Sequence, residues 1–214
     1  MKRRARRIVL AAVALALLAA VPALAAQLTV ISSKLTAWQS ATTVPWCASP
    51  GTQTASADAD SWINQASPTS NFATDALLNV RSQNGARNQR MITRFALPAL
   101  PANCTVTLAI LRLHASVSTA GRTLQALQVD AAWAENTVTW ANQPGTTGTA
   151  ATTTSALGYR EWTVTTHVAA MYSGPNNGFL IRDATENNST GPAQWFHSRE
   201  MAPVNPPELV LTFG

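Results

Sequence analysis

The sequence predicts an all-β sandwich. Nine short runs, most of six to ten residues, are rich in Val, Ile, Leu, Thr and Trp and are separated by turn residues. That is strand chemistry at the spacing of packed antiparallel sheets. Charged residues are 12% of the chain, roughly half the usual share. So few charges cannot solvate a coiled coil or a long surface helix. An apolar fraction of 46% with 7 Trp also excludes a disordered chain.

The runs cover residues 59–64, 76–81, 90–97, 106–115, 123–130, 158–164, 178–183, 193–199 and 208–213. Side chains alternate across a strand, which assigns faces. In the fourth run Ala109, Leu111 and Leu113 share a face that reads as core, and Leu108, Ile110, Arg112 and His114 share the other. In the fifth, Leu127 and Val129 point one way and Gln128 and Asp130 the other. In the last, Leu209, Leu211 and Phe213 point inward. Residues 97–103 are a Pro-marked connection between strands. A single stretch, 166–172, reads as a short connecting helical turn, with Val168, Met171 and Tyr172 at i, i+3 and i+4. Gly174-Pro175-Asn176-Asn177-Gly178 ends it and turns the chain into the next strand.

The amino terminus has a different character. Lys2, Arg3, Arg4, Arg6 and Arg7 precede an apolar run from Ile8 to Leu24, closed by Ala23-Leu24-Ala25. A basic start, a short apolar run and a small-residue site mark a cleaved secretory signal over residues 1–25. The apolar run is too short and Ala-rich for a lasting membrane span. Five of the 15 basic residues lie there, which leaves 10 basic and 10 acidic residues in the rest. The pI of about 10.0 is therefore mostly a property of the export signal and does not imply a nucleic-acid partner. Residues 26–56 form a Ser/Thr/Ala-rich extension without a clear period, and residues 57–214 form the β domain. Export predicts a secreted, extracellular or cell-wall-associated monomer with no membrane contact once the signal is removed. An oxidising compartment makes a Cys47–Cys104 disulfide the default. Two unpaired thiols are the alternative.

Several motifs occur in a recognisable order. They are Ala59-Asp60-Ser61-Trp62-Ile63, Ser67-Pro68-Thr69-Ser70-Asn71-Phe72 and Ala86 through Phe95 with the following Leu-Pro-Ala-Leu-Pro. Next come Leu111-Arg112-Leu113, Trp133 through Trp140 with Asn142-Gln143-Pro144, and Asn176 through Asp183. Phe196-His197-Ser198-Arg199-Glu200 and Pro206 through Val210 complete the set. In this order and spacing the chain resembles the DNRLRE-domain family, grouped with carbohydrate-binding module family 96. The resemblance runs from about residue 57 to the carboxyl terminus. It implies a jelly-roll β-sandwich, usually exported by bacteria, with some members binding acidic polysaccharides.

Enzyme signatures are absent: there is no G-x-S-x-G, H-E-x-x-H, phosphate-cradling loop or dinucleotide fingerprint. His114, His167 and His197 have no second His or Cys at ligand spacing. The expectation is a non-catalytic module with no cofactor, a structural Ca²⁺ being the alternative to an ion-free fold. Asp60, which shares a face with Asp58, and Asp183, in a turn with Glu186, Asn187 and Asn188, are the residues for that ion. With no D-x-D-x-D run present, a strand-ordering role for Asp60 and an Arg partner for Asp183 are the favoured readings.

The ligand candidates are guanidinium groups and rings. Arg81, Arg90, Arg94, Arg112, Arg182 and Arg199 lie at strand ends or outward positions, and their planar forks match carboxylates or sulfates. Trp62, Trp195, Tyr159 and His197 are candidate platforms for sugar rings. Trp133, Trp140 and Trp162 read as structural. The expected partner is a polysaccharide or cell-surface glycan, most of all an acidic one, bound in a shallow site. A structural or adhesion module of the cell surface is the alternative. A polysaccharide lyase, using His197 beside Arg199, is the lesser one.

Overall fold

The computed structural model describes residues 46–214. The signal segment 1–25 and the part of the extension up to residue 45 lie outside the described residues. Ten strands and one helix follow in chain order: β1 Gly51–Asn64, β2 Leu77–Arg81, β3 Gln89–Phe95, β4 Val106–Ser118, β5 Thr123–Val129, β6 Thr146–Thr154, β7 Gly158–Thr163, α1 Thr165–Ser173, β8 Phe179–Asp183, β9 Ala193–His197 and β10 Glu208–Phe213. All nine runs read from the sequence are strands, and the helical turn is α1. The tenth strand, β6, is TTGTAATTT and mostly exposed. It carries no apolar alternation, so pattern alone cannot find it.

Every pairing is antiparallel. The order is β1-β10-β4-β9-β2-β3-β8-β5-β6, β7 pairs with β4, and β1 also pairs with β3. β1 causes the closure. Its residues 51–56 pair with β10, and from Ala57 on it pairs with β3. The register shifts between Ala57 and Ala59, a bulge that bends the strand from one layer to the other. A single Arg81–Gln89 pairing completes the ring at β2 and β3. The domain is thus mostly β with one short helix. Six strands close into a barrel with further strands attached, where a jelly-roll sandwich would keep two separate sheets.

Two clusters fill the fold. The main core joins Phe95, Leu111, Leu113, Leu124, Trp162, Phe179, Phe196, Leu211 and Phe213, among others. Burial of one such side chain stabilises by about 1.5–3 kcal/mol. Ala109, Leu111, Leu113, Leu209, Leu211 and Phe213 are buried as the alternation predicts. A smaller cluster lies on the other face of β3, β5 and β8: Ile63, Ile92, Leu127, Val129, Val138 and Leu180, with Trp133 and Trp140 packed against it. β5 is therefore buried on both faces, Leu124 and Ala126 in one cluster and Leu127 and Val129 in the other. The segment carrying Trp133, Val138 and Trp140 covers that outer face.

Gly178 makes the entrance to β8. It sits at φ +76°, and a Cβ there would meet the Thr93 carbonyl oxygen and come within 2.7 Å of Arg94 Cα. Only glycine fits so close to another backbone at that φ. Cys47 and Cys104 form a disulfide, which ties the residues before β1 to the connection before β4.

Candidate functional site

Three strands place one outward face. Leu78 and Val80 of β2 enter the core, so Leu77, Asn79 and Arg81 point out. Phe196 of β9 is core, so Trp195 and His197 point out. On β4 the core residues Leu111 and Leu113 leave Arg112 and His114 outside. The register then joins the strands. Trp195 pairs with Asn79 of β2 and Val117 of β4, and His114 pairs with Tyr159 of β7.

Contacts link these side chains into a stripe. The Arg112 guanidinium lies 4.3 Å from the centre of the Tyr159 ring. The Tyr159 ring meets His114 edge-on at 5.2 Å, and His114 lies 4.7 Å from His197. Tyr159 Oη donates to Asn205 Oδ1 at 3.2 Å, and His197 Nδ1 donates to the Val204 carbonyl at 3.0 Å. Trp195, two residues before His197 on the same face, is 40% exposed, as is Val117 beside it. A groove of about 390 Å³, lined by Thr74, Asp75, Ala76, Leu77, Asn79 and Trp195, runs along this edge. Burial, and then the neighbouring His197, hold the His114 imidazole below the usual histidine range.

Five of the residues singled out from sequence therefore share one face: Arg81, Arg112, Tyr159, Trp195 and His197. The sequence reading did not include Asn79, Asp75 and Val117 among them. Alternation in β2 was the available signal for Asn79, since it shares Arg81's face. Asp75 lies in a loop and carried no such signal.

The other arginines lie elsewhere, held by carboxylates or amides. Arg90 forks onto Glu186 at 2.7 and 2.8 Å, donates to Gln143, and covers the Trp140 ring at 4.5 Å. Arg94 pairs with Asp58 at 3.0 Å and lies 5.8 Å from the Trp133 ring. These two flank Ile92 and clasp the segment over the smaller cluster. Arg182 donates to Gln125 on that same outer layer. Arg199 opens a 3-10 turn beyond β9 and forks onto Glu135 at 2.8 and 3.0 Å. Even Arg112 is shared between Glu161 and Glu208, at 2.9 and 2.7 Å. Among the described residues Arg81 forms no such ion pair, and its Nε is buried without a partner.

Two further readings are settled by contacts. Trp62 is 7% exposed, stacks on Phe72 at 3.9 Å and donates to Asp75 Oδ2; it is a core residue and not a sugar platform. The His197 and Arg199 pair that a lyase needs is divided. His197 ends β9 facing His114, while Arg199 turns to Glu135 and Glu200.

The two carboxylates expected for an ion also separate. Asp183 receives a bidentate fork from Arg122 at 2.7 and 2.9 Å and the Thr185 amide at 2.9 Å, so its charge is answered. Asp60 is fully buried, accepts the Arg199 backbone amide through Oδ2 at 2.8 Å, and leaves Oδ1 without a partner. Burial, and then Glu200 and Glu135, push its carboxyl up to about 8 against the pull of the Arg199 amide.

Among the described residues no helix is long and apolar enough to cross a membrane. No curated protein matches the chain. An open face with an exposed indole, a groove of mixed lining that holds Asp75 and Asn79, and flanking guanidinium groups suits a binding module, and the family comparison agrees: residues 51–213 match carbohydrate-binding module family 96, to which the chain belongs.

Proposed function

We propose that the chain is a secreted or cell-wall-associated, non-catalytic module that grips a polysaccharide or cell-surface glycan on the face of β7, β4, β9 and β2. The observation that carries this reading is Trp195. Its indole is 40% exposed on a rigid strand and borders the groove of Asp75 and Asn79. Sugar rings present C–H faces that pack on an indole, while their hydroxyls need hydrogen-bonding neighbours; Asn79 and Asp75 supply these. His114 and Tyr159 extend the contact along the chain of sugars, with His197 buried behind His114 as support. Arg81 marks the subsite for a carboxylate or sulfate, because among the described residues it is the guanidinium of this face without a carboxylate partner. Arg112 serves as support for Tyr159.

Such open, wet sites bind in the micromolar to millimolar range. Electrophoresis of the purified protein through gels containing neutral or acidic polysaccharides tests the reading. Retardation by at least one glycan is expected, with Arg81→Ala losing any extra retardation in the acidic gels. Unchanged mobility in every gel would count against the reading.

A further inference from the structure

We propose that Asp60, Glu135 and Glu200 hold one divalent cation, with Ca²⁺ the best fit. The three come from far apart: β1, the segment between β5 and β6, and the turn after β9. One carboxylate oxygen from each lies within 4.8 Å of the other two. Oxygens on opposite sides of one Ca²⁺, bound at 2.3–2.6 Å, are at most about 5 Å apart, so this spacing fits a shared ion. Mg²⁺ demands near-ideal octahedral geometry at about 2.0–2.1 Å and gives up its water reluctantly, which suits ligands drawn from three separate segments less well than Ca²⁺.

Charge and burial point the same way. Arg199 is the one cation in contact, forked onto Glu135 and 3.1 Å from Glu200. Binding the cation ionises all three carboxylates, and the one guanidinium then leaves two negative charges for it to answer. Asp60 carries the sharpest demand: it is 0% exposed, and its Oδ1 has no hydrogen-bond donor. A buried carboxylate oxygen without a partner is costly, and a cation answers it. Glu135 Oε1 is filled by Arg199 Nε and the Asp60 amide, but Oε2 accepts only from Arg199 and keeps a lone pair for the ion. Water supplies the remaining ligands, since Ca²⁺ takes six to eight oxygens. The ion would fasten three separate segments immediately beside β9, which carries Trp195 and His197.

Titration calorimetry and thermal unfolding of the protein, without glycan, test this with Ca²⁺, Mg²⁺ and EDTA. One Ca²⁺ per chain is expected, with an unfolding midpoint about 5 °C or more higher in millimolar Ca²⁺ than in EDTA and a smaller shift in Mg²⁺. Asp60→Asn and Glu200→Gln are each expected to lose the Ca²⁺ shift while unfolding in EDTA no earlier than the parent. Should Asp60→Asn not fold, the surface variant Glu200→Gln decides alone. Absence of Ca²⁺ heat and midpoint shift in the parent overturns the proposal. So does a shift that survives in the variants. Neither result bears on glycan binding, which the gels measure separately.

Discussion

The backbone amide of Arg199 donates to Asp60 Oδ2 at 2.8 Å, across 139 residues of chain. This bond ties the turn after β9 to β1, and it places a fully buried carboxyl at the junction. With its carboxyl pushed up to about 8, against about 3.9 in an unfolded chain, the folded state holds an extra proton between those values. Stability then falls as pH rises from about 4 to 8. Asp60→Asn keeps an oxygen for the Arg199 amide and removes the titration. In EDTA its unfolding midpoint should exceed the parent's at pH 8 and converge with it near pH 4. Thermal melts across that range check this; parallel curves would contradict it.

His114 has the opposite sign. Its imidazole is held below the ordinary histidine value by burial and by His197. The unfolded chain therefore takes up this proton first as pH falls below about 6.5, and stability is lost there. Tyr159, His197 and Arg112 with its partners Glu161 and Glu208 surround the group. His114→Gln should show a smaller loss of midpoint between pH 6.5 and 5 than the parent.

Gly178→Ala tests the close approach of β8 to β3. The added methyl meets the Thr93 carbonyl oxygen and Arg94 Cα at a φ of +76°. A loss of about 3 kcal/mol in denaturant unfolding is expected. A cost below 0.5 kcal/mol would show that the backbone yields there.

The Cys47–Cys104 disulfide closes a loop between residues 57 apart in sequence. Its removal in Cys47→Ser/Cys104→Ser should cost about 4 kcal/mol by the chain-entropy relation. Urea unfolding of the oxidised parent and the double variant measures the difference.

The strands were legible because apolar alternation reports burial directly. Leu111 and Leu113 inside and Arg112 and His114 outside follow from period two alone. β6 was not legible: its Thr and Ala residues pair with β5 at the edge and bury little. The first half of β1, TQTAS after Gly51, was hidden for the same reason. Side-chain partnership was the harder part. Arg90 and Glu186 are 96 residues apart, and Arg199 and Glu135 are 64 apart, so sequence could count guanidinium groups without assigning their carboxylates. Trp62 and Trp195 look alike in sequence. Phe72 and Asp75 take the first into the core, while the second has Asn79 and Val117 as cross-strand neighbours and stays exposed.

The central claim is a glycan grip built on the indole of Trp195. Calorimetric titration of the parent and Trp195→Ala with whichever polysaccharide retards the protein tests it most directly. The account predicts micromolar to millimolar binding by the parent and a loss of tenfold or more in Trp195→Ala, with unchanged thermal unfolding. Equal affinities in the two proteins would contradict it.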